Sequence, residues 1–159
     1  MTANQILDAL LHANLLSLQD VIRLLAIDDI DLSETDITNI LRGPYEPKYL
    51  VFPDYVLLTL LDELIIDKRG ARDDAEKVLP QKTAKLSFNE VLKKLRIAFN
   101  LQEQEVREAL KLATIELSKS DLSALFRKPN HPLYKACEAE LLQSFIEGVG
   151  LLRAARSAE

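Results

Sequence analysis

The sequence holds one cysteine, two histidines and four glycines in 159 residues. A lone thiol, Cys137, excludes an internal disulfide, and with no charged-then-apolar segment at the N-terminus it points to a reducing cytoplasm. The glycines (Gly43, Gly70, Gly148, Gly150) form neither a phosphate-cradling loop nor a dinucleotide fingerprint. His12 and His131 lie in no H-E-x-x-H or C-x-x-C pattern, so no metal or other cofactor is expected. Long apolar runs are missing as well. The longest, 55–61 with one threonine, stops at Asp62-Glu63, far short of the ~20 residues that cross a bilayer, so no membrane partner is expected. The net charge is −5, which excludes a general affinity for nucleic acid or anionic lipid over the whole surface. Between Lys68 and Arg96, however, nine bases outnumber four acids, and both flanks are acidic.

What is present is duplication. Residues 33–49, S-E-T-D-I-T-N-I-L-R-G-P-Y-E-P-K-Y, return 85 positions later at 118–134 as S-K-S-D-L-S-A-L-F-R-K-P-N-H-P-L-Y. Each copy opens S-x-x-D, a serine N-cap with an acid three residues on, which satisfies free N–H groups at a helix start. Each closes R-x-P-x-x-P-x-Y. The arginine is expected in the last helical turn, where a cation suits the negative end of the dipole, and the proline ends the helix. The same offset relates Asn4 to Asn89, Leu7 to Leu92, Leu25 to Leu110 and Leu57 to Leu142.

Four helices per copy follow from caps and apolar spacing. Thr2-x-x-Gln5 starts one that runs to about 14, Ser17-x-x-Asp20 a second to about 27, and Ser33 a third to Arg42. Pro44, Pro47 and Pro53 rule out helix in the next loop. Asp54 is placed to cap a fourth helix, 54–68, apolar on nearly every face and ended by Lys68-Arg69-Gly70. Residues 71–86 are a charged linker. Ser87-x-x-Glu90 opens the second copy, whose last helix is predicted over about 135–154 with 156–159 frayed. In it Gly148 and Gly150 replace Glu63 and Ile65, which lets another backbone approach at some cost in helix stability. The fold class is all-α: two tandem four-helix repeats, 1–70 and 87–155, expected to pack about a pseudo-two-fold axis because two copies are too few for a solenoid.

The run N-E-V-L-K-K-L-R-I-A-F at 89–99, Pro53-Asp54 with Leu57, Lys68-Arg69-Gly70, and the R-x-P loop before Tyr134 with Cys137 behind it resemble the bacterial YehS-like family. That family is a two-copy, all-helical domain of unknown function, so the resemblance implies a fold and no activity. The chain departs from the family pattern at Phe52 (typically cysteine), Glu63 (typically glycine) and Gly43-Pro44-Tyr45 (typically a lysine and acids).

No catalytic constellation stands out, and the chain is expected not to be an enzyme. Cys137 aligns with Phe52 and is expected to be a buried structural thiol, His12 a half-buried helix residue and His131 an exposed loop residue. The carboxylate pairs Asp28-Asp29 and Asp73-Asp74 fall in connectors, where solvation is expected. Helix-turn-helix geometry is disfavoured by a six-residue connector, 28–33, and by few bases at the start of the third helices. Two sets of binding candidates remain. Arg42 with Tyr49, and Arg127 with Tyr134, recur at identical spacing and serve either as cap and core contact or as a planar anion site. Lys68, Arg69, Lys93, Lys94 and Arg96 make the basic middle, with the last three on the polar face of one helix. The expected function is a non-catalytic cytoplasmic interaction or adaptor module, monomeric or homodimeric, with a protein partner. The alternative is binding of RNA or DNA backbone through the basic stretch.

Overall fold

Residues 1–71 and 76–158 are described by the computed structural model, and they form eight helices and no strand. The first repeat carries α1 (Ala3–His12), α2 (Leu18–Ala26), α3 (Glu34–Ile40) and α4 (Asp54–Arg69), and the second α5 (Phe88–Ala98), α6 (Glu103–Leu112), α7 (Lys119–Leu125) and α8 (Ala139–Ser157). The chain divides into two compact units, Met1–Leu86 and Ser87–Glu159.

Local chemistry starts the helices where the sequence marks them. Thr2, Ser17 and Ser33 each accept the N–H of the residue three positions on, and the side chains of Gln5, Asp20 and Asp36 accept the cap residue's own N–H in return. Ser87 and Ser118 accept from the N–H groups of Glu90 and Asp121. Glu90 pairs instead with Lys94 one turn on, at 3.7 Å. Asp54 is not the cap of α4. Pro53 holds that position with no side-chain bond, and the Asp54 carboxylate accepts the Leu86 N–H at 3.1 Å. The last residues of the predicted linker are thereby fixed to the first unit.

Helix ends differ more from expectation. The first helix stops at His12, since Asn14 turns left-handed at φ 58°, and His12 itself is exposed rather than half-buried. Helix α3 ends at Ile40, so Arg42 lies beyond the last turn; the Asn39 carbonyl accepts N–H groups from Leu41, Arg42 and Leu50. Helix α8 begins at Ala139 and not near 135, because the Lys135 carbonyl and Cys137 N–H are bound by Asn89. It continues to Ser157, where fraying was expected, with Arg156 paired to Glu105 of α6 at 2.6 Å.

Burial follows the apolar stripes. Ile6, Leu7 and Leu10 of α1, Val21, Leu24 and Leu25 of α2, Ile37 and Ile40 of α3, and Leu57, Leu60, Leu61 and Leu64 of α4 are buried in the first unit, where α4 packs on α1 and α2. Each such side chain contributes about 1.5–3 kcal/mol relative to exposure. Nearly every face of α4 is covered, including Thr59 and Glu63. The second unit repeats the plan with Val91, Leu92, Leu95, Val106, Leu110, Leu122, Leu125, Leu142 and Phe145. Its fourth helix comes closer to its second: a Cβ at Gly148 would overlap the Ala109 carbonyl oxygen of α6. At the same register the first unit has Glu63 and Leu24, large residues on both helices.

One polar group per repeat ties the loop after the third helix to the first helix. Asn4 Nδ2 donates to the carbonyls of Ile40 and Leu50, each at 2.9 Å, and its Oδ1 accepts the Phe52 N–H at 3.0 Å. Asn89 does the same 85 residues on, donating to Leu125 and Lys135 at 3.0 and 2.8 Å and accepting from Cys137 at 2.8 Å. Asn4 is buried and Asn89 half-buried. Asn4→Ala leaves two carbonyls and one N–H unsatisfied and should cost about 3 kcal/mol, with Asn89→Ala costing about 2 because water reaches its partners. Urea unfolding of both variants checks the order; equal losses, or none, would contradict it.

Candidate functional site

The loop between α3 and α4 and its counterpart between α7 and α8 close the same turns, although Lys48 is left-handed at φ 68° and its counterpart Leu133 is not. Glu46 donates its N–H to Gly43 and Tyr49 to Glu46; His131 donates to Lys128 and Tyr134 to His131. Leu50 donates to Asn39 and Lys135 to Ala124. Two successive turns are thus closed within the loop and its far end is held by the asparagine, so the turns survive although most side chains differ.

Within this frame the repeated arginines take different partners. Arg42 Nε donates to Asn39 Oδ1 at 2.9 Å. The second copy has Ala124 at that place, and Arg127 meets His131 Nε2 at 3.2 Å. Tyr49 and Tyr134 are half-buried, and Arg42 is half-buried whereas Arg127 is exposed. The feature that repeat-reading missed is apolar. In the first loop Tyr45 is 100% exposed and Val51 64%, with Leu41 and Leu50 partly exposed on either side. Sequence offered a signal in the aromatic between Pro44 and Glu46, where the second copy has Asn130.

The basic middle is dispersed. Lys68 and Arg69 are exposed in the last turn of α4. Lys93 is exposed on α5, but Lys94, about 100° around the helix, leans to Glu90, and Arg96 lies over the Phe126 ring at 4.5 Å while donating to the Leu101 carbonyl at 3.1 Å. Arg72 and the pair Asp73-Asp74 lie outside the described residues. Cys137 is buried, and burial, with the Glu138 charge beside it, pushes its thiol up to about 11. A thiol held so far above neutral pH is a poor nucleophile. His131 is half-buried, its Nδ1 accepting from the Leu133 N–H at 3.0 Å.

A charged cluster that sequence patterns did not reveal sits in the first unit. Glu63, 2% exposed in the middle of α4, and Asp28, whose side chain is also buried, both pair with the Lys77 ammonium, Asp28 at 2.6 Å. Asp28 is therefore not solvated as its connector position suggests; its neighbour Asp29 is exposed and left-handed at φ 60°. Lys77 enters from solvent, with 40% of its side chain exposed. A signal was available: a lone acid among apolar residues on a helix covered all round requires a buried partner.

Comparison with known proteins places these two units. The model of a family described as "Protein of unknown function (DUF1456)" matches the chain twice, over residues 3–70 and 88–153. The chain is also 30% identical over 149 residues to "Uncharacterized protein YehS" of Escherichia coli (strain K12), a match covering 94% of each chain. No solved structure matches. The matched segments coincide with the two repeats.

The buried cluster has a pH signature. Desolvation holds the Glu63 carboxyl above its ordinary value of 4.5, helped by the Asp28 carboxyl against it and opposed by Lys77. Burial pulls the Lys77 ammonium down, but its hydrogen bonds to Asp28 and Glu63 outweigh that and hold it above its usual range. A carboxyl raised on folding binds its proton more tightly in the native state. Its contribution is complete below pH 4.5 and is lost as pH rises through the folded value. Glu63→Gln removes that loss, so the variant's stability relative to the wild type should increase on going from pH 4.5 to neutral. Urea midpoints measured across this range check the sign; parallel curves would show that Glu63 does not titrate there.

Proposed function

Because the chain belongs to the DUF1456 family, whose function is unknown, we propose a role from its own surface: a non-catalytic cytoplasmic interaction module that docks a protein partner on the loop between α3 and α4. The observation that carries this reading is the exposure of Leu41, Tyr45, Leu50 and Val51 on one loop whose backbone is already fixed. Exposed apolar side chains gathered on one segment cost solvation and mark contact surfaces. Tyrosine and arginine are the residue types that dominate binding hot spots, and Arg42 is beside them. A loop pinned before binding loses little further entropy on docking, so its contacts convert more fully into affinity. The second loop keeps the turns with a more polar surface, Asn130 and His131 leading to an exposed Leu133. Nucleic-acid binding has less behind it, since Lys94 and Arg96 are already engaged with Glu90 and Phe126.

A photo-crosslinking residue in place of Tyr45, compared with one in place of Gln104 on α6, tests the reading in cells. A discrete protein adduct is expected from position 45 alone, and Val51→Asp should abolish it while leaving the urea midpoint unchanged. For the partner so identified, Tyr45→Ala should weaken binding roughly 30-fold, as loss of a hot-spot aromatic does. The same adducts from both positions, none from either, or adducts removed by nuclease would overturn it.

A further inference from the structure

The Lys77 contact holds a segment whose described residues, 76–79, are all exposed. Helix α4 ends at Gly70, left-handed at φ 85°, and the chain is tied down again where the Leu86 N–H meets Asp54. Between these points Glu76, Lys77, Val78 and Leu79 are exposed as residues, with Val78 83% accessible. Of residues 76–79, Lys77 sends its ammonium inward, onto two carboxyls from different elements: Asp28 after α2 and Glu63 in α4. A segment held by charge and not by apolar area has low local stability and responds to whatever changes that charge.

We propose that residues 76–86 form a proton-gated strap, docked on the first repeat while Glu63 is ionised and released when Glu63 takes up a proton. Two adjoining buried carboxylates repel each other and are both poorly solvated, so ionised Glu63 needs the ammonium. Protonated Glu63 can donate a hydrogen bond to the Asp28 carboxylate, which leaves Lys77 a single charged carboxylate and weakens the reason for the strap to stay. Among the described residues, Lys77 and Asp28 are the charged groups facing Glu63. Elsewhere between α2 and α4, Arg23 already joins Asp20 and Asp67, at 3.3 and 3.0 Å. The second repeat supports a role specific to the first: at the places of Glu63 and Asp28 it has Gly148 and Ala113, and there α8 lies against the Ala109 backbone of α6 with no room for a side chain.

The test is NMR on the full chain between about pH 4 and about pH 8, following heteronuclear NOE values at Val78 and Leu79 and the side-chain carboxyl of Glu63, with α4 amides reporting the fold. In the wild type the strap should lose order on acidification with the midpoint of the Glu63 titration. Glu63→Gln should hold the strap loosely at every pH, without that midpoint. Lys77→Gln, changed at an exposed residue, should keep α4 intact, release the strap throughout and raise the Glu63 midpoint by about one pH unit, the tenfold linkage between docking and proton release. A strap equally ordered at all pH values in the wild type, the same midpoint surviving in Glu63→Gln, or a Lys77→Gln strap as ordered as in the wild type would overturn the proposal. If Glu63→Gln fails to fold, the Lys77→Gln result alone decides.

Discussion

The primary amide of one asparagine per repeat sets the conformation on which the rest of each unit depends. An amide offers two donors and an acceptor in a fixed plane, and Asn4 uses all three functions on backbone groups of Ile40, Leu50 and Phe52. Those groups flank a loop with prolines at 44, 47 and 53 that cannot satisfy them by helix or sheet. Without the amide they would be dry and unpaired beneath the loop. With it, the end of α3, the extended entry to α4 and the start of α1 are joined at one point, and the apolar sides of those helices face a common interior. Asn89 repeats the arrangement, which is why the two loops close equivalent turns while diverging in sequence.

Beneath that shared frame the two interiors solve different problems. The first spaces α2 and α4 with large residues and admits a buried acid whose charge is answered from outside by Lys77. The second reduces both partners to Gly148 and Ala109 and brings α6 and α8 into backbone contact. Buried ion pairs return little net stability, because removing two charges from water costs nearly as much as their attraction gains. Their persistence in one copy alone separates Glu63 from the packing needs common to both.

How far the sequence spoke for the structure depended on distance along the chain. Caps at Thr2, Ser17 and Ser33 were legible because donor and acceptor lie three residues apart. The tandem, all-helical organisation was legible because the repeat is ungapped over most of its length. Helix ends were not: the end of α3 at Ile40 and the start of α8 after Cys137 are set by bonds to Asn4 and Asn89, 36 and 48 residues away. The Asn4 and Asn89 match was visible as identity, with nothing to say what the amides hold. The Asp28, Glu63 and Lys77 cluster joins three separate elements; Asp28 and Lys77 taken singly look like solvated charges, and Glu63 among apolar residues marked a buried acid without marking its partners. For Arg42 and Arg127 the sequence showed the equivalence but hid its limits, since the partner of each is a residue that the copies do not share.

The close approach at Gly148 also bears on how a duplicated gene can change. Two tandem copies of related sequence are exposed to recombination and conversion that would make them alike. Copying the first version of the fourth helix onto the second would put a glutamate side chain into the Ala109 carbonyl, where no rotamer relieves the overlap because it begins at Cβ. The reverse exchange would empty the space that the buried Glu63 side chain fills and leave Lys77 one carboxylate fewer. Neither homogenised product packs as its parent does. The halves are therefore held apart by their interiors, and their loops are free to drift toward separate uses without being returned to a common sequence.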